Sequence, residues 1–361
     1  MRTTAAVIVE PERVELTEIE VPPLEDGAVL LEVVLTEVCG TDVHLLHGRL
    51  PGAPYPLIPG HFAVGRVADL RGQPTYADGG PVRIGDAVTF LDVYGTCGQC
   101  WFCQVAHATT RCPSRRVYGI TIGAADGPCG AWSQLMYLKP GTKIVPLKDI
   151  PPEQFIGGGC GLATALHAAE RADIRIGDTV VVQGSGPVGL NAVAMARLKG
   201  ATEVILIGGP ECRLNAGKRL GADHILDITQ TGPDERLAAV LDLTEGRGAD
   251  VVIEATGSPG ALAEGLQMTR DAGTYVVAGQ YTDAGDVTIN PHSMLNRKHI
   301  TVKAVWGIDF GHLYRSLRVL RRYGGSMRWE DLLTKTYTLE QAATALSDVE
   351  SGSVIKAAMK P

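Results

Sequence analysis

The apolar positions of this chain follow two patterns, one in each part of the sequence. Over the first 150 residues, short runs in which apolar and polar positions alternate, such as AVLLEVVLTEV (28–38) and DAVTFLDV (86–93), are broken by glycine and proline. Alternation with a period of two is typical of strands that bury one face. This part of the chain is therefore predicted to be a β-rich, irregular domain.

From about residue 160 onwards, continuous apolar runs alternate with helical segments. The predicted strands are 178–183, 203–208, 250–255 and 274–279, and the predicted helices are 187–199, 211–220 and 259–269. Such strands, alternating with helices, indicate an α/β fold with a doubly wound parallel sheet that helices cover on both faces. The remaining segment is mixed, with a helix near FGHLYRSLRVLRRYG (310–324).

Length and charge narrow the functional classes. A chain of 361 residues is long enough for about two domains. Its net charge of −7 and its scattered basic residues favour neither nucleic acid nor an anionic membrane as a partner. Because the sequence has neither an apolar run of roughly 20 residues nor a secretory leader pattern, we expect a soluble, cytoplasmic protein. Four of the eight cysteines fall between positions 97 and 112, which indicates a metal site more than a disulfide scaffold.

A glycine-rich turn follows the first strand of the predicted parallel sheet. In GSGPVG, Gly184, Gly186 and Gly189 form the pattern G-x-G-x-x-G, with Pro187 and Val188 between the last two glycines. The pattern alone is weak evidence and also fits an ordinary glycine-rich turn. Its position between a strand and a helix is the context in which such a turn approaches a pyrophosphate closely and directs a helix N-terminus at it. The sequence therefore predicts a dinucleotide site.

The end of the second strand bears on the choice of dinucleotide. Gly208 occupies the position where an acidic residue would hold the adenosine ribose. Glu211 could reach a ribose hydroxyl instead, and Arg213 could face a 2′-phosphate. NAD(H) is favoured over NADP(H), because Glu211 would repel that phosphate.

Two groups of residues are candidate metal ligands. Cys97, Cys100, Cys103 and Cys112 are spaced as C-x2-C-x2-C-x8-C. Four thiolates on one short loop can surround zinc completely, which is typical of a structural site; free thiols or disulfides are the disfavoured alternative.

The other candidate ligands, Cys39, His61 and Cys160, are scattered along the chain. Taken singly, a strand histidine is more often packed than ligating, and such a cysteine is more often a small buried hydrophobe. A Cys, His, Cys set with an open fourth position is nevertheless an arrangement for catalytic zinc. Spacing alone does not link the three residues.

The order of these motifs resembles that of a known family. CGTDVH (39–44), GHFAVG (60–65), the four-cysteine loop, CGLAT (160–164) and GSGPVG (184–189) follow one another as in the zinc-dependent medium-chain alcohol dehydrogenases. The resemblance implies a GroES-like catalytic domain of residues 1–158 and 301–361 and a Rossmann domain of residues 159–300. It also implies two zinc ions per chain and a homodimer or homotetramer.

The resemblance assigns roles residue by residue. It makes Cys39, His61 and Cys160 the catalytic zinc ligands, and Asp42 the carboxylate that orients the ligand histidine. Thr41 and His44 would form a proton relay. The positions that the resemblance places near the cofactor and substrate are Thr164 beside the nicotinamide, Lys356 against the pyrophosphate, and Leu50, Val93 and Trp306 in an apolar substrate pocket.

Three positions depart from the family pattern. Phe62 replaces the glutamate that usually follows the ligand histidine, the last cysteine of the loop comes one residue late, and Gly208 replaces the ribose acid. A tetrahedral site can absorb the extra loop residue. Phe62 removes no ligand from the three-residue set but replaces a carboxylate that lies near the metal in the family.

The resulting hypothesis is reversible hydride transfer from a hydrophobic, secondary or cyclic alcohol to NAD(P)+, which gives a ketone or aldehyde. A zinc-free quinone or enoyl reductase of the same superfamily would lack the Cys, His, Cys set. A dehydrogenase of formaldehyde or thiol adducts is a substrate variant that stays open. A cofactor-binding protein without turnover is a further alternative, against which Thr41, Asp42 and His44 argue; two zinc ions per chain would favour the dehydrogenase.

Overall fold

A computed structural model describes residues 1–361 and divides the chain into two compact units. The first unit comprises Met1–Gly159 and Asp309–Pro361, and the second comprises Cys160–Ile308. No helix combines the length and the apolar character that a membrane span requires.

The N-terminal part of the first unit is built mainly of strands. Its strands are β1 (Arg2–Glu10), β2 (Arg13–Glu20), β3 (Val29–Val38), β4 (Ala63–Leu70), β5 (Ala87–Phe90), β6 (Val93–Gly95), β7 (Arg116–Val117), β8 (Leu135–Leu138) and β9 (Ile144–Pro146). Two short helices, α1 (Gly40–Leu46) and α2 (Trp101–Gln104), follow β3 and β6. The predicted β-rich domain is thus confirmed.

Helix α3 (Pro152–Ala172) leads into the second unit, in which strands and helices alternate. Its strands are β10 (Thr179–Gln183), β11 (Glu203–Gly208), β12 (His224–Asp227), β13 (Ala249–Glu254), β14 (Thr269–Val277) and β15 (Thr301–Ala304). Its other helices are α4 (Pro187–Lys199), α5 (Glu211–Arg219), α6 (Pro233–Leu243) and α7 (Pro259–Met268). The C-terminal elements are α8 (Phe310–Met327), β16 (Leu333–Tyr337), α9 (Ala342–Glu350) and β17 (Lys356–Met359).

The sheet of the second unit confirms the predicted α/β class. All of its six strands pair in parallel, in the order β12-β11-β10-β13-β14-β15. Numbered within the unit, this is the order 3-2-1-4-5-6 of a Rossmann domain. Its central strands are apolar and buried because helices cover a parallel sheet on both faces.

The sheet of the first unit is centred on β3. Six of its seven strands run in the order β16-β17-β3-β4-β5-β9, and the seventh, β8, also pairs with β3. Strand β3 pairs antiparallel with β4, β8 and β17. Nearly all its residues are buried, with Glu32 the exposed exception. The last residue of β3 is followed at once by Cys39 and helix α1.

Helix α3 contains a break that matters for the site. Gly159 lies inside it with φ 50° and ψ −150°, which is a conformation accessible essentially to glycine alone. The helix therefore consists of two segments, and Cys160 is the first residue of the second segment.

One expectation about the second unit needs correction, and two of its elements were missed. Residues 301–304 were expected to begin the C-terminal part of the catalytic domain, but β15 pairs with β14 and extends the Rossmann sheet, so this unit continues to Ile308. Strand β12 and helix α6 were not predicted. Strand β12 is a half-buried edge strand of four residues, HILD, and such a strand has no continuous apolar run to reveal it.

A histidine joins three elements at the surface of the first unit. His47, just after α1, contacts Glu12 in the turn between β1 and β2 through Nδ1 (2.5 Å) and Glu350 at the end of α9 through Nε2 (2.8 Å). The hydrogen bonds to Glu12 and Glu350 raise the pKa of His47 above its ordinary 6.5, although partial burial opposes them. A raised pKa stabilises the folded state below pH 6.5, and this stabilisation is lost as the pH rises through the folded-state pKa.

We predict that His47→Gln lowers the melting temperature by a few degrees at about pH 5.5 and by less at about pH 9, because exposed ion pairs each contribute about 0.2–1 kcal/mol when charged. His292→Gln, at an exposed histidine away from these contacts, is the control and should lower the melting temperature less at about pH 5.5. Thermal denaturation across this pH range checks the prediction. A His47→Gln effect that is constant with pH would contradict the ion-pair interpretation.

Candidate functional site

The glycine-rich turn lies between β10 and α4, as predicted. Gly184 has φ +106°, and a Cβ there would come within 2.6 Å of the carbonyl oxygen of Ala255. A Cβ at Gly189 would come within 1.8 Å of the carbonyl oxygen of Gly184, so the helix can approach the turn only without a side chain. Gly186, the N-cap of α4, faces open space. The turn therefore leaves room for a ligand at the helix N-terminus, where an anion is stabilised.

A cavity of about 820 Å³ opens beside this turn, within the second unit. It lies at the ends of β10, β11 and β13, where the strand order reverses, which is where dinucleotides bind in Rossmann domains. Among its lining residues are Gly184, Gly186, Gly208, Arg213 and Thr256. Pro187, Val188 and Gly189 begin helix α4 immediately behind the turn.

The residues at the end of β11 do not support the preference for NAD(H) that was expected from the sequence. A Cβ at Gly208 would come within 2.3 Å of Ser185 Oγ, and this hydroxyl in turn bonds Gly209. Arg213 lines the cavity, whereas Glu211 is exposed and is not among the lining residues. The expected repulsion of a 2′-phosphate by Glu211 therefore has no support in the geometry.

The four cysteines of the loop converge. The Sγ atoms of Cys97, Cys100, Cys103 and Cys112 all lie within 4.8 Å of one another. Backbone N–H groups of Gln99 and Cys100 that point at Cys97 lower the pKa of its thiol to about 6, whereas burial raises that of Cys103 to about 11. Four sulfur donors this close match a closed tetrahedral zinc site, because a divalent cation offsets the repulsion between thiolates.

The three scattered candidates also converge. The donor atoms of Cys39, His61 and Cys160 lie within 4.8 Å of one another, and Cys39 Sγ is 3.9 Å from His61 Nε2. Cys39 and His61 are buried, and Cys160 is half-buried. All three cysteine and histidine side chains are therefore positioned to share one ion, which their sequence spacing could not establish.

Asp42 has a different role from the one expected. Its Oδ2 accepts from the backbone N–H of Cys39 (2.9 Å), which closes a capping box at the start of α1, and its Oδ1 accepts from the N–H of Gly60 (3.4 Å). His61 Nδ1 is buried and makes no hydrogen bond. Asp42 thus does not orient the histidine ring directly; it holds the backbone on the N-terminal side of both Cys39 and His61.

Three acidic side chains influence the buried His61. Burial lowers the pKa of His61, but Cys39, through its charge and a hydrogen bond, and then Asp42 and Asp92 raise it to about 10. Burial raises the pKa of Asp42 well above its ordinary value, and the charge of Cys39 adds to this rise. Asp92 was missed in the sequence, although an acidic residue inside the apolar run FLDV is a signal for it. A bound cation would favour the ionised forms of these buried acidic groups.

The proposed relay residues lie on α1. Thr41 and His44 are both half-buried and are three residues apart, so their side chains lie on the same side of the helix. Burial, and then the charge of Arg49, lowers the pKa of His44. This imidazole is therefore neutral near pH 7 and is able to accept a proton.

Comparisons with known proteins address the same features. The family described as "Zinc-binding dehydrogenase" matches residues 187–322, and the one described as "Alcohol dehydrogenase GroES-like domain" matches residues 25–149. The 5-exo-hydroxycamphor dehydrogenase of Pseudomonas putida is 34% identical over 98% of this chain and 97% of its own length. This chain belongs to the zinc-dependent medium-chain dehydrogenase family. It is accordingly an oxidoreductase of the alcohol dehydrogenase type, and the predicted family is confirmed.

Further relatives of this dehydrogenase agree in sequence and fold. An alcohol dehydrogenase of Cupriavidus necator is 32% identical over 99% of this chain and 98% of its own length. The crystal structure of an alcohol dehydrogenase from Thermotoga maritima has a TM-score of 0.95 and 33% identity, with full coverage of both chains. The GroES-like and Rossmann assignments follow from these similarities and from the two sheets.

Phe62 occupies a packed apolar position in this dehydrogenase. Its ring is 1% exposed, stacks on Phe155 of α3 with centroids 6.1 Å apart, and meets the His61 ring edge-on at 5.7 Å. The departure from the family glutamate is thus part of the packing that supports the histidine.

Lys356 is not placed as expected. It is 2% exposed, and its Nζ contacts Glu37 Oε1 at 2.6 Å and donates to the carbonyl oxygen of Gly158 at 3.2 Å. The amine is therefore engaged inside the first unit and is not directed at a pyrophosphate. Glu37 was missed, although an acidic residue at the buried end of β3 and a lysine within the apolar run SVIKAAM are matching signals in the sequence.

Four further residues were predicted to lie near the cofactor or the substrate, and the structure shows what surrounds each of them. Thr164 is half-buried on α3, one turn beyond Cys160. Leu50 packs against the cluster of Ile8, Leu45 and Leu57. Val93 is buried on β6, and Trp306 stacks on Tyr281 with ring centroids 5.7 Å apart. None of these four lines the large cavity described above.

We predict that Cys112→Ser lowers the zinc content from about two ions per chain to about one and lowers the melting temperature, because a closed four-thiolate site contributes directly to folding. Cys129→Ser, at an equally buried cysteine outside both groups, is the matched control and should keep both ions. Metal analysis of the purified variants checks this. Equal zinc content in wild type and Cys112→Ser would contradict a metal site in the loop.

Proposed function

We propose that this dehydrogenase oxidises hydrophobic secondary or cyclic alcohols to ketones, reversibly, with NAD(P)+ as the hydride acceptor and with two zinc ions per chain. The observation that carries the proposal is the convergence of Cys39, His61 and Cys160, whose donor atoms lie within 4.8 Å of one another. Three protein donors leave one position of a tetrahedral ion for the substrate oxygen, which is the pattern of catalytic zinc sites.

Zinc fits these residues on chemical grounds. Two sulfurs and an imidazole nitrogen are donors that zinc prefers, and a bound cation would favour the ionised forms of the buried Asp42 and Asp92 nearby. When bound, zinc supplies a Lewis acid that stabilises negative charge on the alcohol oxygen. Phe62 has no donor atom, so this residue leaves the fourth position to substrate or water.

The chain's own residues would handle the proton and the cofactor. The Thr41 hydroxyl and the His44 imidazole would take up the alcohol proton, since the lowered pKa of His44 keeps a basic nitrogen available at neutral pH. The N–H groups of the turn at Gly184 and Gly186 and the N-terminus of α4 would bind the pyrophosphate. Thr164 would lie beside the nicotinamide.

The substrate class is inferred from apolar side chains and from one relative. Leu50, Val93 and Trp306 would line the substrate pocket and carry no charge. The Pseudomonas putida relative, at 34% identity, is named for 5-exo-hydroxycamphor, whose hydroxyl sits on a compact apolar ring system. Relatives named for D-arabinitol and for erythritol or L-threitol are 28% and 29% identical. Polyols are thus the natural competing substrates in a test.

We predict that the zinc-loaded protein shows at least about tenfold higher kcat/KM for cyclic secondary alcohols than for polyols, because an apolar pocket does not satisfy additional hydroxyls. Nicotinamide absorbance with a panel of primary, secondary, cyclic and polyol substrates measures this. Cys39→Ser should lower kcat/KM at least about a hundredfold, and Cys129→Ser should not change it. Activity confined to polyols would contradict the substrate class, and full activity of Cys39→Ser would contradict the metal site.

For the cofactor, we infer that NADP(H) is accepted at least as well as NAD(H), in place of the preference for NAD expected from the sequence. Gly208 carries no carboxylate that would repel a 2′-phosphate. The half-buried Arg213 lines the cavity as a cation. Arg236, which also lines the cavity, forms an ion pair with Glu264 (2.7 Å). Asp234, the other charged lining residue, is exposed at the start of α6.

Arg213→Ala should raise the KM for NADP+ about tenfold or more and change the KM for NAD+ by less than about threefold, because it removes a charge-assisted contact to the phosphate alone. Arg219→Ala, at an exposed arginine on the same helix, is the control and should change neither. Steady-state kinetics with both cofactors measures the effect. An equal rise for NAD+ and NADP+ would contradict a phosphate contact.

A further inference from the structure

The pair formed by Glu37 and Lys356 is the most deeply buried ion pair of the first unit. Its side chains are each 1% exposed, and Glu37 Oε1 lies 2.6 Å from Lys356 Nζ. Removing two charges from water is costly, and replacing a buried ion pair by apolar residues of similar volume is often neutral or stabilising. A contribution to folding stability therefore does not explain why this ion pair is buried. The contacts that the pair makes in the fold indicate another role.

The ion pair packs against the break in α3. Lys356 Nζ donates to the carbonyl oxygen of Gly158 at 3.2 Å. A Cβ at Gly159 would come within 2.3 Å of both Glu37 Oε2 and Lys356 Nζ, so the pair packs directly against the backbone of that glycine. The next residue in the chain is Cys160.

Glu37 also touches the segments that carry the other two candidate ligands. It lies at the end of β3, two residues before Cys39. Its backbone N–H donates to the carbonyl oxygen of Phe62 (2.9 Å), directly after His61, and its own carbonyl oxygen accepts from Trp132 Nε1 (3.2 Å). One residue thus connects all three segments that bring a donor atom to the site.

We propose that Glu37 and Lys356 are positioning residues that fix the break at Gly159 and thereby direct Cys160 Sγ toward Cys39 and His61. The inference rests on the proposed metal site and extends it to residues that bind neither metal nor substrate. Because Glu37 and Phe62 are neighbours across β3 and the start of β4, the carboxylate absent at position 62 is present one strand away. The lysine that the family pattern would place at the pyrophosphate serves in this chain as the partner of that carboxylate.

The test is a titration of the metal-free protein with Co(II), whose visible and thiolate charge-transfer bands report the geometry of its ligands. The bands that disappear in Cys39→Ser belong to the Cys39, His61 and Cys160 group. The double variant Glu37→Gln/Lys356→Met removes both charges without leaving either one buried and unpaired. Leu138→Ala is the control, because it damages the core at the far end of β3, where Leu138 pairs with Val29.

In the double variant we expect altered bands of this group and an increase in the Kd for Co(II) of about 10- to 100-fold, the usual effect of removing a group that supports metal ligands. Its melting temperature should stay near that of the wild type. Leu138→Ala should lower the melting temperature and leave the bands and the Kd unchanged. Glu37→Asp, which shortens the carboxylate by one carbon, should shift the bands in the same direction and serves if the double variant does not fold.

Unchanged bands and Kd in the double variant, or in Glu37→Asp if that variant alone folds, would overturn the positioning role, whatever the melting temperature. Bands that change equally in Leu138→Ala would overturn it as well, because general destabilisation would then explain them. Failure of the proposed function itself gives a different result: Co(II) bands of wild type and Cys39→Ser would be identical, so no metal would bind at this group.

Discussion

The site depends on bringing three donor atoms together from chain segments that are far apart in the sequence. Cys39 follows a strand, His61 precedes the neighbouring strand, and Cys160 follows a break in a helix, yet their donor atoms lie within 4.8 Å of one another. Backbone contacts make this possible. Asp42 bonds the N–H groups of Cys39 and Gly60, and the pair of Glu37 and Lys356 packs against Gly159. The ligands are thus held through the backbone that carries them.

Concentrating these groups has an electrostatic consequence. Two cysteines, Asp42 and Asp92 surround one buried histidine, and burial makes their negative charges costly. The four-cysteine loop likewise concentrates groups that can carry negative charge, in this case sulfur atoms alone. A divalent cation stabilises each group, because the side chains within it would otherwise repel one another when ionised. This is the physical reason for proposing zinc at both groups, one with four thiolates and one with three protein donors.

Local sequence predicted those features that local geometry determines. The turn needs Gly184 and Gly189 for close backbone approach, and the four cysteines share one short loop, so both features were recognisable. The alternating and continuous apolar runs likewise predicted the two kinds of sheet. Strand β12 escaped because it is a short, half-buried edge strand. The boundary near residue 300 was misplaced because the pairing of β15 with β14 depends on tertiary structure.

Side-chain partners could not be predicted from one segment at a time. Asp42 was expected to orient the His61 ring, but its carboxylate instead accepts a hydrogen bond in the capping box at the start of α1. Lys356 was assigned to the cofactor, but Glu37 lies 2.6 Å away from it across two paired strands. In both cases the residue type was informative, but the sequence did not identify the partner. The reason is that the partner belongs to another element or to the backbone. Glu211 is similar, since only the structure shows that it does not line the cavity.

We propose that the convergent groups are two metal sites, one of which has an open position. Diffraction from crystals grown with zinc, recorded on both sides of the zinc absorption edge, locates each ion directly. We expect two anomalous peaks per chain, one among the four loop cysteines and one within bonding distance of Cys39, His61 and Cys160. Phe62 should not coordinate the second ion. A map with a peak at the loop and none at the second group would show that Cys39, His61 and Cys160 do not bind the metal.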